Sequence, residues 1–150
     1  MKIKLTIKDR VLTATLQDNK TAQDFVSLLP LTLTMNDLFG REKFGHLPRA
    51  ISEGGERTHN YEVGQIVYWS PGPDVAIFYR NDRQAIPDPG IIVIGRLDTG
   101  PRQRSQTQRT FRDHYSSCLL LRLGECNICG CRCERGFRKA RHRLRSACRG

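Results

Sequence analysis

The sequence predicts a mainly β fold: a small barrel of about six to seven short strands with one or two short helices, followed by a basic C-terminal tail without order. Three features predict it. Tyr61 to Arg80 holds two apolar runs, Gln65 to Trp69 and Asp74 to Tyr79, on either side of Ser70-Pro71-Gly72-Pro73. β-Branched and aromatic residues fill the runs, while the Pro and Gly between them break a ladder and reverse the chain, so the stretch reads as a β-hairpin. Period-two alternation marks the N-terminal part, and the texture changes abruptly after Gly100.

The elements follow in order. Ile3, Leu5 and Ile7 alternate with Lys2, Lys4, Thr6 and Lys8, and the alternation resumes at Leu12, Ala14 and Leu16. Two strands with one buried face each, joined by a tight turn, follow from that pattern. Thr21-Ala22-Gln23-Asp24 has the form of a capping box, with Ala22, Phe25, Val26 and Leu29 at helical spacing behind it and Pro30 ending the helix. Leu31, Leu33 and Met35 alternate with Thr32 and Thr34 as a third strand. Phe44 to Ile51 is expected to pair briefly with the sheet, and Ser52 to Asn60 is a polar loop. Ile91 to Leu97 is almost wholly apolar, as a strand buried on both faces would be.

Charge and cysteine divide the chain at Gly100. Of its 25 Lys+Arg and 15 Asp+Glu, 12 and 12 lie in residues 1–100, and 13 and 3 in residues 101–150, so the whole net charge of +10 sits in the last third. All six cysteines lie there too. The reading is a domain over 1–100 and a poorly ordered Arg- and Cys-rich tail over 101–150, whose composition is also what an out-of-frame reading of a GC-rich gene gives. The N-terminus lacks a continuous apolar core for a secretory signal, and no run approaches the ~18 apolar residues that span a bilayer. A cytoplasmic protein with reduced thiols is expected, with no membrane contact.

The tail carries two local patterns. Cys126, Cys129, Cys131 and Cys133 have the ligand count for zinc but crowd three thiols onto one extended segment, so incidental chelation is favoured over a functional metal site. The arginines Arg135, Arg138, Arg141, Arg143 and Arg145 would attract nucleic acid non-specifically by counterion release, with Phe137 alone nearby to stack on a base. No P-loop or dinucleotide fingerprint accompanies the strands, and no cofactor is indicated.

Taken as an ordered set, KIKLTI, TAQDFVSLLPLTLTM, FGHLPRAI, YEVGQIVYWSPGPDVAIFYR and IIVIGRLDTG resemble a family of small bacterial proteins with a cyclophilin-like fold, mostly of unassigned activity. The resemblance covers about two-thirds of the chain and implies a compact β-barrel with a helix or two. It also implies a last alternating strand after the turn Asp98-Thr99-Gly100, a pattern that 101–150 lacks. Either Cys118 to Leu123 stands in for that strand, or the barrel keeps an open edge that lowers stability and invites self-association.

True cyclophilins bind a proline-containing peptide in an apolar groove beside an Arg, using a Phe-x-His-Arg stretch and a Gln-Gly-Gly-Asp stretch, and this sequence has neither. His46, Arg49, Trp69, Phe78 and Tyr79 are the candidate residues for binding a small molecule or peptide. The plainer reading, which carries more weight, makes Trp69 and Phe78 core, Arg49 a surface residue and His46 a solvated loop residue. A binding or structural module without prolyl isomerase activity is therefore the favoured expectation. A prolyl isomerase and a nucleic-acid binder through the tail are the alternatives.

Overall fold

A computed structural model describes residues 1–8, 10–98 and 116–123. Nine strands and one helix are present among them: β1 (Lys2–Ile7), β2 (Arg10–Leu16), α1 (Lys20–Ser27), β3 (Leu31–Leu38), β4 (Glu42–His46), β5 (Arg57–Thr58), β6 (Gln65–Trp69), β7 (Asp74–Phe78), β8 (Ile91–Leu97) and β9 (Ser116–Leu123). The tail cysteines Cys126, Cys129, Cys131 and Cys133 and the arginine cluster lie outside the described residues. Among the described residues no helix is long and apolar enough to cross a membrane.

Eight strands close into an antiparallel barrel in the order β1-β2-β8-β6-β7-β4-β3-β9, with β5 added beside β8. Of the two alternatives for closure, the open edge is not the one observed. Strand β9 lies between β1 and β3, with Leu121 opposite both Leu5 and Leu31 and Leu119 opposite both Ile7 and Leu33. Leu119 and Leu121 are buried in the interior. Cys118 to Leu123 therefore stands in as the closing strand, and the unpaired edge through which self-association was considered is filled by β9. A run of leucines lacks strict alternation, yet a strand paired on both sides needs only its inward residues to be apolar.

The helix begins two residues earlier than its motif suggests. Asn19, in extended conformation, is the N-cap, and its Oδ1 accepts from the Ala22 N–H at 2.8 Å. Its Nδ2 donates to the Val93 carbonyl at 3.0 Å and ties the cap to β8. Thr21 and Asp24, the two halves of the expected capping box, face the loop after β4 instead. Thr21 Oγ1 accepts from the Gly55 N–H at 3.0 Å, and Asp24 Oδ2 from the Ser52 N–H at 2.7 Å. Both Asn and Thr suit an N-cap, and the loop's need for acceptors decides between them. The buried residues Thr21, Ala22 and Phe25 set the helix against the barrel.

Two apolar clusters share the sheet. The barrel interior holds Ile3, Leu5, Leu33, Met35, Ile66, Tyr68, Val75, Ile77, Ile92 and Ile94. On the outer face of β4, β7, β6 and β8, a second cluster forms from Tyr61, Val67, Ala76, Phe78, Ile86 and Ile91, with Phe44, Trp69 and Val93 packed against it. Ile86, from the loop between β7 and β8, covers part of that face. This explains why β7 reads as one unbroken apolar run after Asp74: Val75 and Ile77 are buried in the interior core, and Ala76 and Phe78 in the outer one.

Candidate ligand-binding cavity

The outer core is incompletely filled. A cavity of about 230 Å³ lies over it, lined by Leu38, Phe39, Arg41, Glu42, Phe44, Val67, Trp69, Asp74, Ala76, Ile86, Pro87 and Ile91. Register explains the layout. Glu42 stands opposite Phe78, Phe44 opposite Ala76, and His46 opposite Asp74, while Val67 and Trp69 of β6 face Ala76 and Asp74 from the other side. Every one of these side chains belongs to the outer set of the pleat. The floor is thus Phe44, Ala76 and Val67, with Arg41 and Glu42 at one end and Asp74 with Trp69 at the other. The two ends are four residues apart along β4, roughly 13 Å of extended strand.

Arg41 owes its position to the β3–β4 turn. Its N–H donates to the Leu38 carbonyl at 3.1 Å, and the residues between, Phe39 and Gly40, both have positive φ, 56° and 60°. Two such residues make the turn of primed type that suits strand twist, and Gly40 is there because that conformation costs it little. The Arg41 carbonyl in turn accepts from the N–H groups of Tyr79 and Arg80, at 3.0 and 3.1 Å. Its guanidinium lies 3.1 Å from Glu42 Oε1 and 3.6 Å from Asp82 Oδ2, and within 5.3–5.8 Å of the ring centres of Phe39, Tyr61 and Phe78. Nε is buried with no hydrogen-bond partner among the described residues.

The electrostatics follow from these contacts. Burial works against the Arg41 charge, but Glu42 and Asp82 outweigh it and hold its pKa above the ordinary value. Burial pushes the Glu42 carboxyl up, with Arg41 pulling the other way. Asp82 is held low, chiefly by the hydrogen bond from the Tyr61 hydroxyl and by the Gln84 N–H. Asp74 is pushed up by burial and drawn back by His46, whose Nδ1 lies against its Oδ1.

The five sequence candidates are distributed over different surroundings. Trp69 lines the cavity. His46 stands at its rim beside Asp74, with its ring edge-on to Phe44 at 5.9 Å. Phe78 lies in the outer core, stacked on Tyr61 at 4.0 Å. Tyr79 belongs to the interior core, its hydroxyl donating to Asp37 Oδ2 at 2.6 Å beside the buried Lys43. Arg49 is held against α1 by Asp24 Oδ1 at 2.6 Å and Ser27 Oγ at 2.9 Å, and does not line the cavity. Sequence reading missed Arg41, Glu42, Phe44 and Asp74. The signal for them was a face rather than a motif, the alternate residues Glu42, Phe44 and His46 opposite Asp74, Ala76 and Phe78. Among the described residues no three His, Cys, Asp or Glu side chains are grouped to hold a metal ion.

Comparison with solved structures gives likeness of fold. A hypothetical protein of Archaeoglobus fulgidus, determined in solution, matches with a TM-score of 0.61 at 17% identity, over 83% of this chain and 95% of that one. McbB in complex with tryptophan matches with a TM-score of 0.62 at 12% identity, over 83% of this chain but 45% of its own. A cyclophilin-type peptidyl-prolyl cis-trans isomerase of Cryptosporidium parvum, in the presence of the dipeptide Ala-Pro, has a TM-score of 0.46 at 15% identity, over 84% of this chain and all of that one. No curated protein matches by sequence. The sequence profile of the cyclophilin-like family matches residues 5–115. With most of the chain matched and a closed antiparallel barrel behind it, this protein belongs to the cyclophilin-like family.

Proposed function

We propose that the protein is a cytoplasmic binding module that takes a small apolar ligand, or one apolar side chain of a peptide, into the cavity between β4, β7 and β6, and that it does not catalyse prolyl isomerisation. The observation that carries this is the cavity of about 230 Å³ with aromatic walls, Phe39, Phe44 and Trp69, beside a buried arginine. An apolar concavity with a few fixed polar groups is how small-molecule sites are built. Its size decides the scale of the ligand, because a cavity of ~150 Å³ holds a benzene ring. Room for a ring and a short chain remains here, and no more. Against isomerase chemistry, Arg41, the one cation lining the cavity among the described residues, is already engaged by Glu42 and Asp82.

Trp69 is the chain's single tryptophan and forms part of the wall, so its emission reports occupancy directly. Titration with 2-phenylethanol is expected to shift that emission saturably, while a proline-peptide assay with the same protein shows no acceleration. An emission spectrum indifferent to such probes contradicts binding. Catalysis that disappears with Arg49→Ala or Arg41→Lys contradicts the exclusion of isomerase activity.

A further inference from the structure

We propose that the natural ligand of the cavity carries an ammonium group beside its apolar body, with Asp74 as the acceptor; this rests on the cavity being a binding site and names the class of molecule it takes. Among the described residues the charges that line the cavity are Arg41, Glu42 and Asp74. Arg41 is matched twice over, by Glu42 at 3.1 Å and by Asp82 at 3.6 Å. An anionic ligand would therefore meet a surplus of carboxylate.

Asp74, in contrast, has the exposed His46 as its one ionic partner among the described residues. It is 9% exposed, it lines the cavity, and its Oδ1 accepts no well-aligned hydrogen bond among the described residues. The polar group nearest to it is His46 Nδ1, on a side chain 70% exposed. Displacing an exposed imidazole costs little buried area, and a ligand ammonium that takes its place keeps the buried carboxylate paired, which would be expensive to leave alone. A ligand N–H₃⁺ in the cavity brings three donors to the carboxylate that lines it.

The surroundings suit a cation as well. Trp69 is the cross-strand neighbour of Asp74, and its indole ring belongs to the same wall. An ammonium held by Asp74 would sit beside that ring, whose face attracts positive charge. A phenyl group on a two-carbon arm fits the volume given above and reaches from Asp74 across the floor of Phe44 and Ala76.

The test uses three probes of one shape and different charge, phenethylammonium, 2-phenylethanol and 3-phenylpropionate, titrated calorimetrically into the full-length protein and into Asp74→Asn. The ammonium is expected to bind on the order of tenfold tighter than the alcohol, as one charge-assisted hydrogen bond to a buried carboxylate implies. The carboxylate probe is expected to bind weakest, and Asp74→Asn to abolish the advantage of the ammonium while retaining the alcohol. Equal binding of the three probes by the unmodified protein overturns the proposal while leaving the cavity reading intact, and needs no variant to fold. An ammonium advantage that survives in Asp74→Asn also overturns it. Failure of all three to bind overturns the cavity reading and the proposal together.

Discussion

Arg41 is where the account is most exposed to a single substitution. Its guanidinium pairs with both Glu42 and Asp82 in a place that water reaches poorly, side chain exposure being 7% for both Arg41 and Glu42. Arg41→Met keeps the volume and removes the charge, which strands two carboxylates. A loss of about 3–5 kcal/mol is expected, measured from urea midpoints, because breaking one partner of a buried ionic group costs that much. Arg49 is the contrast. Its partner Asp24 is held well below the ordinary carboxylate value, at about 2 against 3.8, first by the hydrogen bonds from Arg49 and then by the Ser52 N–H. A carboxylate with a lowered folded-state pKa stabilises above its unfolded value, so this contribution is complete above about pH 4 and is lost as pH falls from 3.8 to about 2. Arg49 is half exposed and solvent screens the pair, so Arg49→Ala is expected to leave the urea midpoint at neutral pH nearly unchanged. Its acid unfolding profile should be flatter over that window. A loss as large as that of Arg41→Met would mean that Arg49 has a role these contacts do not supply.

At the scale of elements, closure of the barrel depends on two seams. At one, β2 meets β8 through Leu16 opposite Gly95, and a Cβ on Gly95 would stand 2.7 Å from Leu16 Cδ2 and 3.0 Å from the Thr15 carbonyl oxygen. Backbone on one side leaves little room to yield, so Gly95→Ala is expected to cost about 1–3 kcal/mol. At the other seam β9 joins β1 to β3, and Leu121→Ala is expected to cost about 2–5 kcal/mol as a core truncation, with Trp69 emission and circular dichroism reporting the same midpoint shift. An unchanged midpoint would remove β9 from the barrel. The hairpin β6–β7 and strand β8 were legible because residues buried on both faces must be apolar whatever they touch. β9 was half legible: Cys118 to Leu123 has the composition of a strand, but only its partners β1 and β3 show where it goes. The helix cap was misplaced since Asn19, Thr21 and Asp24 are all capping residues, and contacts with Ser52 and Gly55, distant in sequence, decide which one caps.

The molecule as a whole is one sheet with two cores, and its site lies where the outer core stops short of filling its space. Interior packing was predictable from alternation at Ile3, Leu5, Ile7, Leu33 and Met35. The cavity was not, because a polar tip such as Phe39-Gly40-Arg41-Glu42 looks like an ordinary hairpin until the loop carrying Ile86 and Pro87 is laid against it. Burial of Arg41 and Glu42 is a property of that tertiary contact, and no local pattern records it. Trp69 was found from sequence as a large apolar residue, without the knowledge that it faces outward. The most direct test of the central claim is a map of backbone amide shifts on adding the uncharged 2-phenylethanol to the full-length protein. Saturable changes are expected at Phe44, Trp69, Asp74, Ala76 and Ile91, with α1 and Arg49 unaffected. Changes centred on α1 and Arg49, or none that saturate, would contradict the claim.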